Sequence, residues 1–190
     1  NFLSTEATNL FTNFLLSPPT PWARVKGGVK CVWFMDQGVE HAFGELRLRG
    51  GPFPDWLRDL IKCINSVLRK PEYFNSVLVN HWQKPARSPF LSDDETLFFG
   101  SHDLREKTFI ATISLLNSAV VEFCGKFDRS QRVVANLEAA PGSSYSTQGF
   151  MQQPTKHSVL VNSVPRISIT CRHVVLSSDE PESKKLKSSK

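Results

Sequence analysis

The run RISITCR, residues 166–172, alternates so that Arg166, Ser168, Thr170 and Arg172 share one face of a strand while Ile167, Ile169 and Cys171 take the other. An arginine on an inward face is costly unless an anion meets it, and a carboxylate bound through two parallel hydrogen bonds is its natural partner. The plain alternative is a strand with its polar face in water. A second run, FNSVLVNHW (74–82), puts Ser76, Leu78, Asn80 and Trp82 on one face and Val77, Val79 and His81 on the other. Asn80 beside a large aromatic can orient a small acid, or serve as a hydrogen-bonded core amide. A third group is LSDDE (91–95) together with the distant His157. Two histidines and one carboxylate hold a non-haem Fe(II), usually as H-x-D at a strand end plus a remote histidine, because residues i and i+2 share a face. Asp93 and His157 supply two of those types. The position two before Asp93 is Leu91, which has no lone pair to offer.

These residues need a scaffold, and the chain is long enough to provide one. Its 190 residues suit one domain with or without a tail, and 40% hydrophobic with 22% charged is ordinary for a globular protein. No run approaches the roughly 18 to 20 apolar residues of a membrane span. The opening NFLSTEATNLF lacks the basic and apolar regions of a secretory signal, and lacks an initiating Met, which suits a segment cut from a longer protein. A net charge of +5 and a pI near 9.1 lean towards polyanionic partners, though part of that charge sits in the terminal SKKLKSSK. The KKLK of this end is a weak nuclear-import signal, and such runs are commonly only solvated. Cys31, Cys63, Cys124 and Cys171 form no C-x-x-C pair and each lies in an apolar segment, so reduced core thiols in an intracellular setting are expected.

Residues 4–16 read as an amphipathic helix with Ser4 as N-cap and Leu10, Phe11, Phe14 and Leu15 on one face. SPPTP (17–21) ends it. Residues 29–35 and 39–48 read as strands around the turn DQG, and GGPFP (50–54) is a break. The clearest helix is PDWLRDLIKCINSVLRK, where Trp56, Leu57, Leu60, Ile61, Ile64, Val67 and Leu68 recur at helical spacing. Beyond residue 72 the period becomes two, with strands expected at 74–82, 109–116, 119–125, 158–163 and 166–175. Helices followed by many short strands predict an α+β domain built on a β-sandwich or barrel. Residues 177–190 read as a charged flexible tail.

Taken in order, the segments NFLS, Trp22, VWFMDQGVEHAFG, PFPDWLRDLI, YFNSVLVN, SDDE, IATISL, PGSSY, KHSV and RISITCR resemble the AlkB family of Fe(II)/2-oxoglutarate dioxygenases, from Asn1 to Val175. The resemblance implies a double-stranded β-helix (jelly-roll) core over 73–176, preceded by N-terminal helices and a nucleotide-recognition flap over 1–72. It implies Asp93 and His157 as iron ligands, Arg166 on the distal carboxylate of 2-oxoglutarate, Asn80 against the co-substrate, and Arg172 near iron, co-substrate and substrate base. Asp94 and Glu95 fall where relatives contact the target base, and Trp33, Phe34 or Phe43 would stack on it. The implied reaction hydroxylates an N-alkyl group on a base, which then leaves as an aldehyde. The implied partner is DNA or RNA, single-stranded or with the base flipped out, bound by a monomer with no membrane involved.

This chain departs from the family pattern at two positions that matter. Leu91 stands where the first iron-binding histidine belongs, and Trp82 stands where an N-x-Y motif places a tyrosine hydroxyl on 2-oxoglutarate; an indole offers only an N–H. Ser168, where many relatives have Asn, is a milder change. His102 lies in the following loop, which would have to fold back to serve as a substitute. An engineered ligand removal would leave the same sequence. Two readings follow: a base-directed dioxygenase domain with impaired or lost catalysis, carrying Fe(II) and 2-oxoglutarate if active and none if not, or a non-catalytic domain that binds nucleic acid or a protein through the old groove. A chance likeness in an unrelated β-sandwich would need all these segments to fall in order by accident.

Overall fold

The computed structural model describes residues 2–25, 28–35, 40–43, 46–69, 74–92, 109–152 and 154–173, with the backbone alone given for 40–43, 46–49, 149 and 150. Helix α1 (Thr5–Leu16) begins at Ser4, whose Oγ accepts the Ala7 N–H at 3.2 Å. Strands β1 (Ala23–Val25) and β2 (Val29–Met35) follow, then the hairpin of β3 (Glu40–Phe43) and β4 (Leu46–Arg49), and helix α2 (Asp55–Val67). The remainder is mainly strand: β5 (Ser76–Trp82), β6 (Ala86–Arg87), β7 (Phe109–Leu116), β8 (Ala119–Gly125), β9 (Val133–Ala139), β10 (Ser144–Gln148), the single-turn α3 (Gly149–Gln152), β11 (Thr155–Val161) and β12 (Arg166–Arg172).

A six-stranded sheet runs β1-β2-β5-β12-β7-β10, and a four-stranded sheet runs β6-β11-β8-β9; every pairing between these strands is antiparallel. The larger sheet separates two environments because its strands alternate strictly. One face carries Val32, Phe34, Val77, Val79, Ile113, Ile167, Ile169 and Cys171, which pack with Leu15 of α1 and Leu57, Leu60, Ile61 and Ile64 of α2 into the main core. Burial pushes the Cys171 thiol up to about 12. The other face looks across to the smaller sheet. This two-sheet antiparallel arrangement, backed on one side by helices, is jelly-roll-like.

The two helices meet through aromatics. Phe14 stacks on Trp56 and Phe11 tilts against it, each at 5.7 Å between ring centroids. The buried face of α1 differs from the sequence expectation: Thr8, Thr12 and Leu15 are buried, whereas Leu10 is 51% exposed. Thr8 and Thr12 can turn inward because each hydroxyl donates to the carbonyl four residues earlier, at 2.8 Å. On α2 the expected stripe holds at Leu57, Leu60, Ile61 and Ile64 but not at Val67, which is 66% exposed.

Other boundaries also move. Where one strand is expected over 39–48 there are two, with β3 paired to β4 instead of to β2. Strand β11 starts at Thr155, three residues before the expected 158, so His157 lies within it instead of ahead of it. Its polar start is recruited by β8, which pairs Phe123 with His157 and Gly125 with Thr155. Strands β1, β6, β9 and β10 were not expected from the pattern. Cys63 is exposed, unlike the buried Cys31, Cys124 and Cys171. Residues 174–190, with the expected tail, lie outside the described residues. Among the described residues no helix is long and apolar enough to cross a membrane.

Candidate functional site

Between the two sheets lies a cavity of about 860 Å3. Its floor is the inner face of the larger sheet, and register places the floor residues in rows. Trp82 pairs with Val29 on one side and Arg166 on the other. The next row is Cys31, Asn80, Ser168 and Ser114, and the one after it is Trp33, Leu78, Thr170, Thr112 and Tyr145. Arg172 lines the same cavity further along β12. From the opposite sheet come Val121 of β8 and His157 and Val159 of β11, with Leu91 beside them.

Arg166 is the dominant electrostatic feature of this floor. It is 1% exposed, and its Nη2 donates to Ser114 Oγ at 3.2 Å. Its Nε has no hydrogen-bond partner, and no carboxylate is paired with it among the described residues. Burial pulls its pKa below the ordinary guanidinium value, an effect opposed by the Tyr145 phenol. A guanidinium retains its proton even so, so a full positive charge stands in a desolvated wall. Such a group is strongly disfavoured unless an anion comes to it.

Trp82 closes the end of the cavity beside Arg166. Its indole is buried in an apolar cluster with Val29, Ala119 and Val161, which ties the two sheets together. Trp33 is also fixed, since its Nε1 donates to Ser76 Oγ at 2.8 Å. Burial pushes the Cys31 thiol up, as expected for a neutral sulfur in the floor.

Leu91 and His157 stand directly opposite one another. The Leu91 N–H donates to the His157 carbonyl at 2.8 Å, and the His157 N–H to the Leu91 carbonyl at 2.9 Å. Residues that exchange both bonds carry their side chains on the same face with Cα atoms about 5.5 Å apart. This pairing depends on a local irregularity. Arg87 faces Leu160 while Leu91 faces His157, so the segment holds one more residue than β11 does over the same span. The extra residue is accommodated at Ser88-Pro89. Pro89 has no N–H to give, and the Ser88 hydroxyl takes the Val159 N–H at 2.9 Å while the Ser88 N–H reaches the Val159 carbonyl at 3.0 Å. Without that bulge Phe90 would face His157.

The site residues expected from sequence thus divide into three groups. Trp33, Asn80, Trp82, Leu91, His157, Arg166, Ser168 and Arg172 line one cavity. Phe34 does not: period two along β2 sends it into the helix-facing core, so it cannot stack on a ligand in this cavity. Asp93, Asp94, Glu95, His102 and the side chain of Phe43 lie outside the described residues. Sequence reasoning missed Tyr145 as a lining residue; PGSSY stood out as a motif, but β10 itself was not foreseen.

Of the two small groups that the resemblance implies, the co-substrate has a matching group among the described residues. A buried cation with an unused N–H suits a carboxylate such as that of 2-oxoglutarate. Iron would meet an alkyl side chain opposite His157, and Asp93, its other expected ligand, lies outside the described residues.

No family model matches the chain, and no curated protein matches its sequence. Among solved structures, that of OsALKBH1, an AlkB homologue, is similar at a TM-score of 0.60 and 12% sequence identity, over 90% of this chain and 94% of that one. The chain therefore has an AlkB-like fold, with its cavity between the two sheets.

Proposed function

We propose that this chain is an AlkB-type Fe(II)/2-oxoglutarate dioxygenase domain directed at alkylated bases of DNA or RNA, in which oxidative demethylation is impaired at Leu91. The observation that carries the impairment is the Leu91–His157 pair, which sets a leucine on the same face as the histidine expected to bind metal. The AlkB-like fold and the buried Arg166, which has no carboxylate partner among the described residues, support the rest. In this reading the two sheets form the double-stranded β-helix, and the β3–β4 hairpin with Trp33 and Phe43 forms the flap that clamps a base. Arg166 holds the distal carboxylate of 2-oxoglutarate, with Asn80, Ser168 and Arg172 along the same floor. Asp94 and Glu95 face the base. In a working enzyme of this kind 2-oxoglutarate is the co-substrate oxidised alongside the base. Residues 1–176 make up the domain, which acts as a monomer.

A second reading, a purely binding descendant of this fold, is favoured by a specific pair of observations: both Leu91 and Trp82 put apolar surface where a polar ligand to iron or co-substrate is expected. One experiment addresses both. Single-stranded DNA and RNA carrying 1-methyladenine or 3-methylcytosine are incubated with Fe(II), 2-oxoglutarate and ascorbate, and demethylation is followed by mass spectrometry. We expect turnover in Leu91→His far above that of the parent. Full turnover by the parent would overturn the impairment, and silence from both would leave the binding reading.

A further inference from the structure

A serine or threonine stands directly before proline three times in the chain, at Ser17-Pro18, Thr20-Pro21 and Ser88-Pro89. The fold gives the three hydroxyls different settings. Ser88 is half-buried in the bulge against β11, where its Oγ accepts the Val159 N–H at 2.9 Å and its carbonyl takes the Ser158 hydroxyl at 2.7 Å. A phosphate there would break the strand pairing. Thr20 is also half-buried, and its Oγ1 donates to the Ser17 carbonyl at 3.1 Å. Ser17 is the exposed one of the three, and Pro18 and Pro19 after it are exposed as well. Its backbone is extended, at φ −75° and ψ 141°, as proline imposes on the residue before it. An extended hydroxyl residue followed by an accessible proline is what a kinase cleft takes when it leaves the next N–H without an acceptor, because proline has none to lose.

We propose that Ser17 is a phosphorylation site for a proline-directed protein kinase, and that the phosphate loosens the last turn of α1. The Ser17 Oγ attacks the γ-phosphorus of ATP, its proton passes to the kinase's base, and the bond to the bridging oxygen breaks to release ADP. Ser17 is the C-cap of α1, and both its N–H and its hydroxyl donate to the Asn13 carbonyl, at 2.9 and 2.7 Å. A phosphoester oxygen has no proton to give, so the second of these bonds is lost. The new charge also sits at the negative end of the helix, whose last turn holds no basic residue to meet it. That turn contains Leu15, fully buried in the main core, and Phe14, stacked on Trp56. Modification at the surface thus acts on the layer that backs the larger sheet. Because α1 packs on the face opposite the cavity, the site stands apart from the function proposed above.

The test incubates the full chain with a purified proline-directed kinase of the cyclin-dependent class and Mg-ATP, and maps phosphate by tandem mass spectrometry. Incorporation at Ser17 ahead of Thr20 and Ser88 is expected. It should be lost in Ser17→Ala and in Pro18→Ala, which keeps the hydroxyl and removes the directing ring. The phosphorylated chain should melt about 2–4 °C below the untreated one, and a phosphatase should restore the original value. Ser17→Ala carried through the same treatment controls for phosphate elsewhere and should show no such drop. No phosphate on Ser17, earlier incorporation at Thr20 or Ser88, or full incorporation in Pro18→Ala would each overturn the site. Incorporation at Ser17 with an unchanged melting temperature would overturn its effect on α1.

Discussion

At the scale of single residues, neighbouring positions on one strand meet opposite fates. Arg166 and Ile167 adjoin on β12, yet one guanidinium faces a polar cavity while the next side chain fills the core. His81 and Trp82 divide in the same way on β5. His81 lies on the face away from the cavity, buried and 5.5 Å from the Trp22 ring. Burial, reinforced by Lys30, holds its pKa below the ordinary 6.5. The sign follows directly: the unfolded chain binds a proton at this residue at a pH where the fold resists one, so stability is full above about 6.5 and falls as pH drops through the lowered value. Melting curves across pH 5 to 8 should show that loss, and His81→Phe, which keeps an aromatic ring against Trp22, should flatten it. An unchanged profile in His81→Phe would show that other groups carry the pH dependence.

At the scale of elements, what was legible depended on how strongly each segment's own composition spoke. Strands β2, β7 and β8 begin and end where their β-branched and aromatic runs do, and the two faces of β5 and β12 follow from alternation alone. That is why Asn80 and Trp82 were readable as one face of β5, and Arg166, Ser168 and Arg172 as one face of β12; the β5–β12 register joins them into one surface. The early start of β11 was not readable, because Thr155-Lys156-His157 is polar and is drawn into the sheet by β8. Nor was β9, an edge strand with exposed Val133 and Val134 and no clean alternation. The bulge at Ser88-Pro89 is a matter of register between distant segments, so the facing of Leu91 and His157 needed the fold. Helix α1 shows the same limit: its moment pointed to Leu10, but hydroxyls satisfied by the helix backbone let threonines take the inner face. Leu15→Ala should therefore cost about 2–5 kcal/mol and Leu10→Gln within about 0.5 kcal/mol, read from urea unfolding midpoints. Equal costs would restore the face expected from the pattern.

At the scale of the whole molecule, the two sheets have separate jobs. The larger one is solid on its helix side, so the cavity floor is held by a core that continues into α1 and α2. The smaller one closes over it, joined at one end by Trp82 with Ala119 and Val161; within the smaller sheet the Arg87–Glu122 pair, whose Nη2 reaches Oε1 at 2.6 Å, ties β6 to β8 across β11. A pair with a half-exposed arginine adds about 1 kcal/mol or less, so the apolar seam alone joins the sheets and the ion pair only trims the smaller one. In the function proposed above, this division would let a metal position at Leu91 and His157 fail while the floor around Arg166 persists, because His157 stands on the smaller sheet and Arg166 on the larger. The most direct measurement of that account is anaerobic titration of Fe(II) into the parent and into Leu91→His, by calorimetry. Saturable one-site binding in Leu91→His with at least about tenfold weaker binding in the parent is the predicted result. Equal, saturable binding in the parent would contradict it and show that Leu91 does not interrupt a metal site.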